Sequence, residues 1–312
     1  MRIKFIKFAK KRMKKHIVTL IVLCTILSIK AENKVFLKAE GKSTYTFLNE
    51  SSVSFKKSRP VKQTQTIKYD LTANATGAGK GVELTISAIR CEKKQKDSTT
   101  VLSTEKPRLP LSYIMRQATN RGVKVELGPK HLTTGTVAGI DSIDAHLFDD
   151  YVTPPDSINR IAYRYLINEE YGKNLVRSLT ENTVSIAPDS VVKDNGTWTK
   201  AIYLYGTFSS NKGTTYTLKG KKGNTYIISG TNQIDKTKPC RYSIAGKAYS
   251  LEDVDGQIVS DITLDCETGL LINSSTTISI KGKATPLSIY ETTEESVSDE
   301  IVLNIKQTIV KE

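Results

Sequence analysis

Three observations predict a mainly β protein of large antiparallel sheets, half-barrel or sandwich-like, in two lobes joined by a short helical connector. Apolar residues recur chiefly at every second position. The links between such runs are short and rich in Gly, Asp and Asn, and a single segment, starting at Asp156, changes to a helical period. Alternation of this kind describes a strand with one buried and one wet face, which is the mark of antiparallel rather than parallel sheets.

The first element is an address. Nine Lys/Arg and no acid precede Glu32, and Lys10-Lys11-Arg12-Met13-Lys14-Lys15-His16 runs into the apolar block Ile17–Ile29 before Ser28-Ile29-Lys30-Ala31. A basic start, a short apolar core and a small residue read as a secretory signal peptide, residues 1–31, cleaved after Ala31. Met13 offers a second start. The block is too short for a relaxed membrane span, so no stable transmembrane anchor is expected after cleavage. Cys24 follows Leu23 where a lipidation site needs a small residue. The expected location is extracytoplasmic: periplasm, cell surface or medium.

Charge follows from the same segment. The formal net charge is +14, but removing nine of the 46 basic residues leaves 37 against 32 acids, about +5. Lys56-Lys57-Ser58-Arg59 and Lys93-Lys94-Gln95-Lys96 lack interleaved aromatics and read as solvated surface, so nucleic acid is not an expected partner. Cys91, Cys240 and Cys266 are odd in number with no CxxC pair, so neither a zinc site nor a disulfide framework is indicated. A Cys240–Cys266 bridge and three unpaired small hydrophobes both stay open.

The N-terminal β-rich lobe, residues 32–150, holds Val82, Leu84, Ile86 and Ala88 alternating with Glu83, Thr85 and Ser87, then Val123, Val125 and Leu127 about Lys124 and Glu126. Asn74–Gly81 links the Thr66–Leu71 run to Val82–Ile89. In the helical connector, residues 151–190, Ile158, Ile161, Ala162, Tyr165 and Leu166 fit i, i+3, i+4, i+7 and i+8. They follow Pro154-Pro155, with Asp156 or Ser157 as N-cap, and the helix continues through Leu175, Val176 and Leu179 until Pro188.

In the C-terminal β-rich lobe, residues 191–312, Tyr216 and Leu218 lie between Thr215, Thr217 and Lys219, and Gly220–Asn224 leads to Tyr226–Ile228. Asp265–Gly269 turns Ile258–Leu264 into Leu270–Ile280, and Ile301, Leu303 and Ile305 form the last inward face. Gly213–Leu218 echoes Lys42–Phe47, which either duplication or chance explains.

Chemistry is scarce. There is no GxSxG, HExxH, P-loop or strand-to-helix GxGxxG, and only His131 and His146 follow the signal segment. The densest polar run, Asp141–Asp150, offers Asp141, Asp144 and His146 as candidate metal or acid–base groups. The run lacks calcium-loop spacing, which favours a surface loop with N-cap acids. Asp253-Val254-Asp255-Gly256 reads as a hairpin turn rather than a calcium loop. Trp198 reads as a core aromatic, with carbohydrate stacking as the alternative, and Tyr203 and Tyr205 are further ligand-binding candidates. No catalytic residue, metal or cofactor is assigned.

The order Ala138-Gly139-Ile140-Asp141, helical connector, Pro188, Asp194-Asn195-Gly196-Thr197-Trp198 and Asp265-Cys266-Glu267-Thr268-Gly269 resembles a family of uncharacterised secreted β-rich proteins of the bacterial cell envelope. The resemblance implies fold and address, because its motifs are turns and not catalytic groups. The function expected is that of a non-enzymatic envelope protein binding an apolar ligand or a protein partner on a curved sheet. The alternatives are a secreted hydrolase acting near Asp141, Asp144 and His146, and a glycan-binding module using Trp198 and the tyrosines.

Overall fold

The computed structural model describes residues 41–76, 81–119, 121–127, 133–138, 170–184, 186–188, 192–200, 213–236, 240–244, 247–287 and 298–312, all within the compact unit Lys34–Glu312. The signal segment, the Asp141–Asp150 run, the connector residues before 170, Tyr203 and Tyr205 lie outside the described residues.

Among the described residues, all thirteen strands join one antiparallel sheet. The first half of the chain supplies β1 (Gly41–Phe55), β2 (Val61–Thr76), β3 (Gly81–Gln95), β4 (Ser98–Ser103), β5 (Gly122–Leu127) and β6 (Thr133–Ala138). The second half supplies β7 (Thr197–Lys200), β8 (Thr214–Lys222), β9 (Thr225–Lys236), β10 (Cys240–Ile244), β11 (Lys247–Asp265), β12 (Leu271–Pro286) and β13 (Asp299–Lys311). The order is β6-β5-β3-β2-β1-β13-β12-β11-β9-β8-β7, with β4 added to β3 and β10 to β11. The two halves therefore form two arms that meet where β1 pairs with β13, in register from Tyr45↔Lys311 to Phe55↔Ile301.

Alternation holds along the long strands. Tyr45, Phe47, Asn49, Ser51 and Val53 of β1 are buried while Glu50 and Ser54 are exposed, and Ile301, Leu303 and Ile305 of β13 face the same side. The phase slips where the register shifts, and two of these bulges shape the concave face. In β3 the pairing jumps from Asp70↔Ala88 to Leu71↔Ile86, so Val82, Leu84 and Ile86 point inward, Ala88 does not, and Ile89 and Cys91 resume the buried face. In β11 the register shifts between Glu252 and Asp255, and Asp253 takes φ 50°. The hairpin expected at Asp253–Gly256 is therefore a bulge inside one long strand. Gly256 is required there, since a Cβ would stand 2.2 Å from Ser279 O.

A sheet this wide curls. Phe55 on β1 and Tyr249 on β11 are separated by β13 and β12, about 14 Å on a flat sheet at about 4.8 Å per strand. Their ring centroids are nevertheless 5.9 Å apart.

The concave face carries two apolar clusters under separate covers. The first joins Tyr45, Phe47, Ile67, Tyr69, Leu218 and Ile262 to two helices, α1 (Pro110–Ala118) and α2 (Lys173–Val184). From α2 come Leu175, Val176 and Leu179, the connector residues that the helical period marked, and from α1 come Ile114, Met115 and Ala118. Thr183 Oγ1 donates to Leu179 O at 2.6 Å, so its 3.0 Å hydrogen bond with Tyr69 is donated by the tyrosine. Tyr69 stacks on Tyr45 at 5.4 Å, and Tyr45 donates to Leu271 O at 3.3 Å. One chain of contacts thus runs from α2 through β2 and β1 to β12.

The second cluster holds Val53, Ile258, Ile278, Ile280, Leu303 and Ile305, together with Tyr242, Tyr249 and Leu251 from β10 and the start of β11. The β11 bulge lets that hairpin fold back across the concave face, where the Tyr242 hydroxyl hydrogen-bonds Ser51 of β1.

Candidate functional site

Between the two apolar clusters the concave face turns polar. Lys93 of β3, Gln65 of β2, Asn49 of β1, Gln307 of β13, Thr276 of β12 and Ser260 of β11 are cross-strand neighbours in one unbroken row. Each sits at an inward position that alternation reserves for apolar side chains, and Gln65, Asn49, Gln307, Thr276 and Ser260 are buried. Buried polar groups require partners. Ser260 and Thr276 hydrogen-bond at 2.9 Å, and Gln65 Nε2 donates to Cys91 Sγ at 3.1 Å. Asn49 Oδ1 has no partner among the described residues.

The covers meet on this row. Lys93 Nζ lies 2.6 Å from Glu170 Oε2 at the entry to α2, and the two side chains are only 12% and 6% exposed. The tetrapeptide expected to be solvated therefore begins with an inward-facing lysine, because Lys93 continues the buried phase that Ile89 and Cys91 set. Burial raises the Tyr171 pKa far above its ordinary value, and the neighbouring Glu170 carboxylate adds to the rise. Burial raises Tyr242 in the same way, and the charge of Glu170 acts on it as well. Burial pushes the Cys91 thiol to about 11, with the hydrogen bond from Gln65 and the charge of Lys93 opposing. At neutral pH the thiol and both phenols stay protonated, so they offer hydrogen bonds rather than nucleophiles.

A groove of about 410 Å³ lies over Phe55, Gly282 and Ile301 between the side chains of Ser54, Val302 and Lys281 on one side and Lys56 and Glu300 on the other; these five stand at exposed positions, so it opens on the outer face of the sheet. Lys56 and Glu300 form a 3.1 Å ion pair there. Ile301 and Phe55 turn their side chains to the second cluster on the inner face, so the sheet separates the groove from that cluster.

Of the residues proposed from sequence, Trp198 is described and lies in the core. It is 7% exposed, donates Nε1–H to Ile186 O at 2.8 Å and stacks on Tyr216 at 5.8 Å. Its position follows from the preceding turn, where Asn195 adopts φ 62° and donates its N–H to Leu218 O at 2.7 Å. Tyr216 lies over Gly230, whose missing Cβ would meet the ring at 2.8 Å. None of Cys91, Cys240 and Cys266 is in a disulfide, and Cys266 lies in the first cluster while Cys240 lies beside the second, so the Cys240–Cys266 alternative does not hold. No cluster of three metal-ligating side chains occurs among the described residues.

The row itself escaped sequence reasoning. Its signal was present in Asn49 and Ser51 interrupting the alternation Tyr45, Phe47, Val53, and in Gln63 and Gln65 preceding Ile67, Tyr69 and Leu71.

Fold and site together define a class: a single curved antiparallel sheet whose concave face is covered by its own helices and hairpin. The chain belongs to DUF6263, a family of unknown function, whose profile matches residues 80–271. That span includes the turns at Asn195–Trp198 and Asp265–Gly269. No curated protein matches the chain. Among solved structures it is similar to lipovitellin, in a structure titled for lipid–protein interactions, at 12% identity and TM-score 0.46 over 88% of this chain. It spans 25% of the lipovitellin chain. It is also similar to an outer membrane channel from Pseudomonas putida F1 (7% identity, TM-score 0.22, 90% of this chain and 98% of the channel). OmpT of Vibrio cholerae follows at 8% identity and TM-score 0.16, covering 88% of this chain and 100% of OmpT.

Proposed function

We propose that this protein is a non-enzymatic, extracytoplasmic binding protein that holds an apolar or amphipathic molecule between the concave face of its sheet and the β10–β11 hairpin. The observation that carries this reading is the second apolar cluster, which the concave face and the β10–β11 hairpin enclose between them. The address rests on the basic start and the Ile17–Ile29 block, and no helix among the described residues is long and apolar enough to cross a membrane.

The experiment is lipid extraction and mass spectrometry of protein purified from the periplasm or medium, with titration of a fluorescent fatty acyl probe into the stripped protein. A co-purifying lipid or saturable probe binding supports the reading. Protein that carries no lipid and shows no saturable binding overturns it. N-terminal sequencing of the same sample should begin near Glu32, and a chain retaining Met13–Ile29 would refute the address.

A further inference from the structure

We propose that the outward side of α1, with the segment leading into it, is a docking surface for a membrane whose lipids carry anionic phosphate headgroups. The surface is separate from the concave-face site, and the inference does not depend on that reading. Three observations support it.

First, α1 presents apolar side chains on both of its sides. Ile114, Met115 and Ala118 pack into the first cluster, as the buried stripe of an amphipathic helix does. The side that should then be polar carries Leu109, Tyr113 and Arg116 at helical spacing, with Leu109 44% and Tyr113 40% exposed. The other cover helix differs: the side chains of α2 that reach solvent are those of Lys173, Asn174, Arg177 and Asn182, all polar.

Second, the charges beside these side chains are unmatched. From Thr104 to Arg121 the chain carries Lys106, Arg108, Arg116 and Arg121 against the single acid Glu105. Lys106, Arg108 and Arg116 are exposed and form no ion pair among the described residues, whereas Lys42, Lys56, Lys68, Lys94 and Lys283 on the sheet each have an acid within 3.1 Å. Pro107 and Pro110 stiffen the approach, and Leu109 takes the extended conformation that precedes a proline. The basic and apolar side chains are therefore held together on a backbone with little freedom left to lose.

Third, the size of the apolar part selects the partner. A stable protein–protein interface buries about 800 Å² on each side, which two side chains less than half exposed on a nine-residue helix do not supply. A lipid surface needs less. Cations near an anionic leaflet act together, each strengthening binding about fivefold, and shallow insertion of Leu109 and Tyr113 removes their exposed area from water. Tyrosine suits that depth, with its ring in the apolar zone and its hydroxyl among the headgroups.

The test is co-sedimentation of the mature protein, in a sample lacking residues 1–31, with vesicles of phosphatidylcholine alone and of phosphatidylcholine mixed with phosphatidylglycerol. The protein should sediment with the mixed vesicles at low salt, be released at high salt and ignore pure phosphatidylcholine. Arg108→Gln/Arg116→Gln should weaken binding about 25-fold, the product of two fivefold steps. Leu109→Ser/Tyr113→Ser should weaken it about tenfold. Wild-type protein that stays in the supernatant with the mixed vesicles refutes the proposal. Binding that both double variants retain lies elsewhere on the molecule and refutes it as well. Weakening by the arginine substitutions alone, with the apolar variant binding like the wild type, refutes membrane insertion in favour of an acidic protein partner. Should a double variant fail to fold, Arg108→Gln and Tyr113→Ser singly carry the same comparison.

Discussion

Lys93→Met removes one charge of the Lys93–Glu170 pair while keeping most of the buried aliphatic stem. Glu170, 6% exposed, would then keep a hydrogen bond from Tyr171 but no cation at 2.6 Å. Leaving one member of a buried pair uncompensated costs about 3–5 kcal/mol, whereas replacing both by apolar groups of similar volume is often nearly neutral. The small residual exposure of Lys93 places the expected loss at the lower end, about 3 kcal/mol. For a sheet of this size that is roughly 6–12 °C in Tm. Urea unfolding followed by tyrosine and tryptophan fluorescence gives the free energies. Lys93→Met/Glu170→Leu should return to within about 1 kcal/mol of the wild type. A single variant that loses less than about 1 kcal/mol, or a double variant less stable than the single, would show that the pair is effectively solvated and does not anchor α2.

Cys91 predicts an alkaline weakness: its folded-state pKa of about 11 lies above the ordinary 9.0, so its contribution is complete below pH 9 and is lost as pH rises towards 11. The slope approaches about 1.4 kcal/mol per pH unit, and it should be missing from Cys91→Ala when the two proteins are unfolded in parallel between pH 8 and 11. Asp265→Ala should cost about 1–2 kcal/mol in chemical denaturation, since Asp265 Oδ1 accepts from Glu267 N, Thr268 N and Thr268 Oγ1 at 3.0, 2.7 and 2.8 Å. Burial works against ionisation there, but those bonds outweigh it and hold the carboxyl below its usual value, so its contribution should persist at neutral pH and fade as pH drops below about 4. Gly230→Ala should destabilise by about 1–3 kcal/mol, because the new Cβ meets a Tyr216 ring already stacked on Trp198, and a wild-type Tm in that variant would show that the ring can move freely.

Much of the fold was legible because alternation and turn chemistry are local. Gly223 and Asn224 between Lys222 and Thr225, and Asp265–Gly269 between β11 and β12, announce themselves within a few residues. Helix α1 was equally local and was missed, although Pro110 opens it and Leu111, Ile114, Met115 and Ala118 keep helical spacing. The bulges at Ser87 and Asp253 were not readable, since a two-for-one pairing depends on the partner strand. The site was the least legible part. Asn49, Gln65 and Gln307 are ordinary residues one by one and become a row only through the registers of β2, β1 and β13, and Lys93 looked solvated because its run of charges hid an inward phase.

The pairing of β1 with β13 has a consequence for how the protein comes to be folded. Asn49 and Gln307 are neighbours in space yet 258 positions apart along the chain, so the central joint of the sheet is also its most non-local contact. Closing so long a loop is slow, and β1 and β13 must wait with bare edges until they find each other. A chain emerging from the ribosome would hold a bare β1 edge until β13 arrived. Stalled or truncated copies lacking β13 should therefore be prone to joining edge to edge with one another, and a chaperone that shields single strands is the kind of helper such an assembly order calls for.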